Sequence, residues 1–512
     1  MRRVNQRKAG VTISYISLIL GYVISIIYTP VMLRLLGQSQ FGLYNLVASV
    51  VSYLGLLNFG FGSAYMRYYS RYRVKCEQDN IAKLNGMTLV IFSVIGIIAA
   101  VAGGVLVLNS SNMFGNKLTV NELSTAKILM AIMVLNVAIV FPFNVFSSYI
   151  AANEEFVFQK IIQMVRTVVS PFIMLPVLLL GYKSVGLVIA AATLSIIVEI
   201  SNAVFCIRKL KIRFAFKQFD LPLMKEMAVF SSFIFLNMIV DQINWNVDKF
   251  IIGRFRGTIA VAVYGIAAQL NSYYMTLSTT ISSVFIPQIN RMAATDKDNR
   301  EFTEIFTRVG RVQFILLSLI FSGLVFFGQP FITMWAGTDY RDAYPIALIL
   351  IGPVSIPLIQ NLGIEIQKAK NMHQFRSWVY LFIAAGNIGL SIPLTKAYGG
   401  VGAAIGTAIA LLIGNGFIMN WHYHFKVGLD MKYFWSQILR FLPSLVLPAI
   451  IGTSIVILVD LSHIVPLGIC AVLYSIAFCI SMWFLGMNQY ERDLIAGPIS
   501  RMIKNRKEKR IL

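Results

Sequence analysis

Fourteen apolar stretches of about twenty residues each leave this chain almost no choice of solvent. A hydrocarbon core about 30 Å thick takes roughly 20 apolar residues to cross as a helix, and lipid confines any spanning backbone to helices or closed barrels. The stretches cover 11–33, 42–63, 84–108, 126–150, 160–180, 184–206 and 227–252, then 260–287, 310–332, 344–366, 377–396, 400–422, 440–460 and 463–486. Hydrophobic residues make up 57% and charged residues only 13%, against about a quarter charged in a soluble domain. The expected fold class is therefore an all-α polytopic membrane protein with about 14 transmembrane helices. Arg2, Arg3, Arg7 and Lys8 precede the first stretch, but it is too long for a secretion signal and lacks a small-residue cleavage site. It is expected to remain in the mature protein.

Basic residues sort by loop. With the N-terminus in the cytoplasm, alternate loops and the tail hold 35 of the 44 Lys and Arg residues, the excess that marks the cytoplasmic side. The expectation is a multi-pass protein of the plasma or inner membrane with both termini cytoplasmic. This sorting accounts for the net charge of +22 without nucleic acid; the basic run Arg501, Lys504, Arg506, Lys507, Lys509 and Arg510 is read as topogenic or as touching anionic membrane lipids. Cys76, Cys206, Cys470 and Cys479 show neither a disulfide framework nor metal-ligand spacing.

The chain also echoes itself. Leu35-Leu36-Gly37 and Tyr44 return as Ile251-Ile252-Gly253 and Tyr264, Gly186 as Gly402, and Asn153 as Asn371. The offsets are 216 (253 less 37; 402 less 186), 218 (371 less 153) and 220 (264 less 44). Six spans per copy is an even number, so both copies enter from the same side and the repeat is parallel. The predicted architecture is two parallel-repeat six-helix lobes around a central cavity, plus two C-terminal helices. Its limits are 1–215 for the N-terminal lobe, 216–435 for the C-terminal lobe, 436–487 for spans 13 and 14, and 488–512 for a basic cytoplasmic tail. Thr295 to Arg311, with Phe302, Ile305, Phe306 and Val309 on one face, reads as a surface-lying amphipathic helix or as a solvated extension of span 9.

Catalytic signatures are missing from the text of the chain. It has no GxxxxGK[ST] phosphate loop, no nucleophile elbow and no metal-ligand array among its four histidines. The chain is therefore read as a transporter rather than an enzyme, without a cofactor, drawing on the membrane potential, a proton or sodium. The sharpest polar pattern is Asn237, Asp241, Asn244 and Asp248 at i, i+4, i+7 and i+11 in span 7, which share one helical face. Acidic residues at bilayer depth cost about 2.5 to 3.5 kcal/mol each on insertion scales, so this face is expected to meet protein or water. It reads either as a cavity wall, with Trp245 and Lys249 beside it, or as interhelical bonding. Gln269 in span 8, Asn361, Glu365 and Lys368 in span 10, and Arg166 in span 5 extend the list of cavity candidates. Arg34 at the end of span 1 joins them because guanidinium pairs bidentately with phosphate. Prolines within spans, such as Pro142, Pro176 and Pro353, permit kinks.

Leu33-Arg34-Leu35-Leu36-Gly37, Phe41-Gly42-Leu43-Tyr44 and Asn58-Phe59-Gly60-Phe61-Gly62 up to Arg67 resemble the start of the polysaccharide-unit flippases in the multidrug/oligosaccharidyl-lipid/polysaccharide exporter superfamily. Asp248-Lys249-Phe250-Ile251-Ile252-Gly253 and Tyr264-Gly265-Ile266-Ala267 look like the same family. The resemblance implies movement of an undecaprenyl-pyrophosphate-linked oligosaccharide to the outer leaflet for capsule, O-antigen or another envelope polysaccharide. It also implies a cationic cavity, for which Arg34, Arg166, Lys249 and Lys368 are candidates, although Asp241, Asp248 and Glu365 make this one mixed. A lipid-linked oligosaccharide is the implied partner, with polymerase and glycosyltransferase neighbours. The alternatives are a cation-coupled multidrug and toxin extrusion type exporter and a lipid II type flippase. A membrane glycosyl polymerase would want a large outer loop, and the longest here, Asn109 to Thr125, is short.

Overall fold

Glycine decides where the helices break. In the computed structural model, which describes residues 6–216, 220–295, 298–370, 372–494 and 496, Gly37 (φ 76°) separates α1 (Gln6–Leu36) from α2 (Gln38–Val51). Gly257 (φ 83°) separates α9 (Leu221–Arg256) from α10 (Thr258–Ala294) in the same way. Positive φ is nearly free only for a residue without Cβ. Two further pairs match: Gly115 (φ 64°) with Gly337 (φ 111°), and Gly181 (φ 85°) with Gly399 (φ 63°). Their spacings are 220 (257 less 37), 222 (337 less 115) and 218 (399 less 181). This corrects one equivalence. The partner of Gly37 is Gly257, whereas Gly253 lies within α9, where an added Cβ would come 2.4 Å from Leu46 Cδ1.

Between these breaks the first half forms α3 (Phe61–Val74), α4 (Gln78–Leu108), the short α5 (Ser110–Phe114), α6 (Val120–Ala152), α7 (Phe156–Leu179) and α8 (Lys183–Arg208). The second continues as α11 (Asn299–Trp335), α12 (Ala343–Ile359), α13 (Leu362–Ala369), α14 (His373–Leu411), α15 (Met419–His422), α16 (Met431–Leu439), α17 (Leu442–Leu458) and α18 (Ile464–Ser481). Eleven helices among the described residues are long and apolar enough to cross a membrane, or twelve if α12 and α13, bent by 42°, are counted as one broken span. Fourteen predicted spans fit this count for two reasons. The apolar stretch Gln374–Val427 is 54 residues long and turns at Gly399, so it contains two predicted spans. The predicted span 260–287 lies on α10, 37 residues long but interrupted by Gln269, Asn271 and a run of Ser and Thr.

Thr295 to Arg311 resolves as the extension. From Asn299 it is the first third of α11, with Phe302, Ile305, Phe306 and Val309 buried. Residues 296 and 297 lie outside the described residues.

Packing groups the chain into two compact units, residues 1–265 with 388–403, and 266–387 with 404–512. In the first, α6 packs against α2, α3, α4 and α8, α7 against α1 and α8, and α9 against α2 and α3. Close approach depends on missing side chains, as is usual where membrane helices cross. A Cβ on Gly42 would sit 1.9 Å from the Thr258 carbonyl oxygen, and one on Gly86 2.3 Å from that of Ala215. The latter lets the link after α8 lie against α4, where Ala215 N–H donates to Ala82 O at 2.9 Å and Asn85 Nδ2 to Arg213 O at 2.9 Å.

In the second unit α11 packs against α12, α16, α17 and α18. Its polar anchor is Arg311, only 4% exposed. The guanidinium meets both oxygens of buried Glu491 (Nε to Oε1 2.5 Å, Nη2 to Oε2 2.9 Å), donates to Gln437 O and Gly486 O, and lies over the Phe441 ring. Arg311 is thus a buried tie to the C-terminal helix pair.

Candidate functional site

The polar stripe on α9 divides between two environments. Asp241 is exposed, whereas Asn244 and Asp248, one turn apart, are buried at 7% and 2% exposure. Asp248 Oδ2 accepts a 2.7 Å hydrogen bond from Tyr264 Oη on α10, the interhelical bonding that the spacing allowed. Trp245 and Lys249 are half-buried, and the side chain of Asn237 lies outside the described residues. Arg34, in the last turn of α1, and Arg166, on α7, are exposed. The fold therefore joins Asp248 to Tyr264 and leaves the two arginines and Asp241 exposed and Trp245 half-buried in the same unit.

The remaining candidates belong to the second unit. Gln269 Nε2 donates to Tyr273 Oη at 2.6 Å. Asn361 sits at the bend between α12 and α13, and one turn later Glu365 and Lys368 form an ion pair of 2.8 Å. That pairing occupies Lys368 with a neighbour on its own helix, as i, i+3 spacing favours. Glu199 is structural, accepting from Ser147 Oγ at 3.3 Å and Asn202 Nδ2 at 3.2 Å.

The most connected acid of the first unit was not among the sequence candidates. Thr119 and Glu122 open α6 with a capping box: Thr119 Oγ1 accepts from Glu122 N at 3.2 Å, and Glu122 Oε2 accepts from Thr119 N at 2.9 Å. The other oxygen, Oε1, takes the hydroxyls of Ser39 and Thr258, each at 2.6 Å. Ser39 follows Gly37 and Thr258 follows Gly257. One carboxylate thus ties together the two repeat-related helix breaks. Two arginines precede Thr258. Arg256 donates from Nε to Thr395 O at 3.1 Å and from Nη2 to Lys396 O and Ala397 O at 2.5 and 2.8 Å, satisfying carbonyls just before the turn at Gly399. Arg254 lies so close to Gly115 that a Cβ there would fall on its guanidinium. A sequence signal existed for the cap, in Thr119-Val120-Asn121-Glu122, but none for the hydroxyls 83 and 136 residues away.

Charge-assisted hydrogen bonds of this kind each contribute about 1.5–3 kcal/mol. A cluster of a few is strong enough to hold one arrangement of helix ends and weak enough to be released by differential binding of a ligand.

Comparison with known proteins follows the same lines. The family described as polysaccharide biosynthesis protein matches residues 8–293. Among curated relatives, an uncharacterized membrane protein, EpsK, of Bacillus subtilis is 22% identical over 93% of this chain and 95% of its own length. A putative O-antigen transporter of Shigella flexneri is 22% identical over 76% and 91%, and a probable flippase, AglR, of Haloferax volcanii 27% identical over 33% and 36%. The fold is that of a solved lipid II flippase, MurJ, in an inward closed conformation (TM-score 0.72, 17% identity, 95% of this chain and 99% of that one). An inward-facing multidrug resistance MATE family transporter of the MOP superfamily shares it at TM-score 0.65 and 11% identity, over 80% and 97%. With more than half of its 512 residues matched and this fold over nearly all of its length, the chain belongs to the polysaccharide biosynthesis protein family.

Proposed function

We propose that the protein is a flippase that carries an undecaprenyl-pyrophosphate-linked oligosaccharide from the cytoplasmic to the outer leaflet by alternating access. Both termini lie in the cytoplasm of a cell with this protein in its plasma or inner membrane. The observation that carries the mechanism is Glu122, which binds the helix breaks of both repeat copies through Ser39 and Thr258. In the proposed topology these breaks lie at the outer end, so Glu122 is a releasable outer latch and the glycines beside it are the hinges. The named relatives, an O-antigen transporter and a flippase, support a lipid-linked glycan as cargo. Arg34 and Arg166 are the exposed cations proposed to meet its pyrophosphate, with Asp241 and Trp245 meeting sugar hydroxyls and ring faces. An inside-negative potential favours outward movement of the anion by about 2.3 kcal/mol per charge per 100 mV, so the bias needs no nucleotide. Glycosyltransferases and a polymerase are the proposed neighbours that make and consume the cargo.

The test is inversion of a fluorescent lipid-linked oligosaccharide in liposomes containing the purified protein. Headgroups should become accessible on the opposite face faster than in empty liposomes. Proton-driven or sodium-driven drug efflux without inversion would instead establish the extrusion type exporter, the reading that the exporter-like fold and buried Asp248 also accommodate.

A further inference from the structure

The second unit contains an apolar slot that opens into a polar groove. The slot, about 410 Å³, lies between α10, α11, α12, α17 and α18, with Tyr274, Leu317, Phe321, Ile356, Leu445 and Ala449 in its wall. Most of its few polar groups are already engaged: Tyr274 Oη with Ser355 Oγ at 2.7 Å, and Ser318 and Ser322 with carbonyls of their own helix; the buried Tyr474 hydroxyl is the exception. The groove, about 930 Å³, lies at the C-terminal ends of α11 and α17 and the start of α12, and Val325 and Phe326 line both spaces. Its polar side includes Gln329, Thr333, Arg341, Thr453, Asp460 and Ser462. In the topology proposed above, this end of the helices faces outward.

Water finds few partners in such a slot and is poorly held there, whereas a hydrocarbon chain gains by leaving water for it. A slot of about 410 Å³ has room for one acyl chain; a polyprenyl chain is several times longer. The groove offers one charge of each sign. Arg341 is held by the Gln329 amide, which, with its oxygen turned to the guanidinium, accepts from Nε at 2.7 Å and from Nη2 at 2.9 Å. Asp460 accepts from the amide and hydroxyl of Ser462, both at 2.9 Å, and these bonds hold its carboxyl below the usual range. A guanidinium suits a phosphate and a carboxylate suits an ammonium.

We propose that this slot and groove bind a zwitterionic aminophospholipid of the outer leaflet, one acyl chain in the slot, its phosphate at Arg341 and its amine at Asp460. The site is separate from the α9 stripe and the Glu122 latch and does not depend on the identity of the cargo. A lipid held between α11, α12 and α17 would couple the packing of this unit to bilayer composition.

Native mass spectrometry of the full chain, incubated with equal amounts of phosphatidylethanolamine, phosphatidylglycerol and polyprenyl phosphate, tests it. Phosphatidylethanolamine should be retained about tenfold over the other two, a difference of about 1.4 kcal/mol. Asp460→Asn should cut that preference to about twofold or less, and Ala449→Trp, which fills the slot, should abolish retention. To separate loss of binding from loss of folding in Ala449→Trp, the wild type is also photo-crosslinked with a phosphatidylethanolamine carrying a reactive acyl chain. Labelled peptides from α11 and α17 support the site. Equal retention of all three lipids, labelling elsewhere, or preferential retention of polyprenyl phosphate would overturn it.

Discussion

At the scale of single residues, energy concentrates where a charge is buried with its partner. Arg311 and Glu491, at 4% and 2% exposure, satisfy each other 180 residues apart. Removing one member leaves the other charge buried and costs about 3–5 kcal/mol, while replacing both with apolar groups of similar volume is often neutral. Arg311→Ala should therefore lower the Tm markedly, and Arg311→Met combined with Glu491→Leu should recover much of the loss in the same thermal melt. Asp248 and Tyr264 form a smaller case. Tyr264→Phe removes one donor from a buried carboxylate, with an expected cost of about 1–3 kcal/mol, read as a lower melting temperature. Glu122 is different because its partners sit on helix breaks. Glu122→Ala should open the latch and raise the labelling rate of a Leu43→Cys thiol by an impermeant outside reagent by about tenfold or more, the scale of one lost charge-assisted bond. An unchanged rate would remove Glu122 from the gate.

At the scale of elements, the glycines differ in what they permit. Gly37→Ala and Gly257→Ala place a Cβ at positive φ with ψ near 180°, a region essentially confined to glycine, costing about 1–3 kcal/mol each, and should slow cargo inversion by making the hinges stiffer. Gly42→Ala should be far worse, since its Cβ would strike the Thr258 carbonyl at 1.9 Å, and loss of folded protein in size-exclusion chromatography is the expected result. Gly104, with no neighbour within 4 Å of an added Cβ, is the contrasting case: Ala there should be neutral or gain up to about 1 kcal/mol in helix propensity. These differences were only partly readable beforehand. The repeat was visible in sequence, but local similarity of Leu36-Gly37 to Ile252-Gly253 pointed to the wrong glycine, because text comparison weighs neighbours and the backbone weighs φ. The amphipathic pattern around Phe306 was likewise readable as helix, but whether it lay on a surface or continued into α11 depended on what covered it.

At the scale of the whole molecule, the proposed cycle makes transport sensitive to voltage. Imposing an inside-negative potential on the liposomes should accelerate outward movement of the pyrophosphate headgroup, and dissipating it should remove that gain. The sequence alone determined the solvent, the all-helical fold class and the polar face of α9. These depend on local quantities: the thickness of hydrocarbon, the helical period and the intolerance of lipid for unpaired amides. Only the tertiary structure decided that Gly257 is the counterpart of Gly37, that Asp248 is buried against Tyr264 while Asp241 is exposed, and that Glu122 joins Ser39 to Thr258. Such pairings, up to 136 residues apart for Glu122, arise from how close helices approach at their glycines. No local period in a chain records that distance.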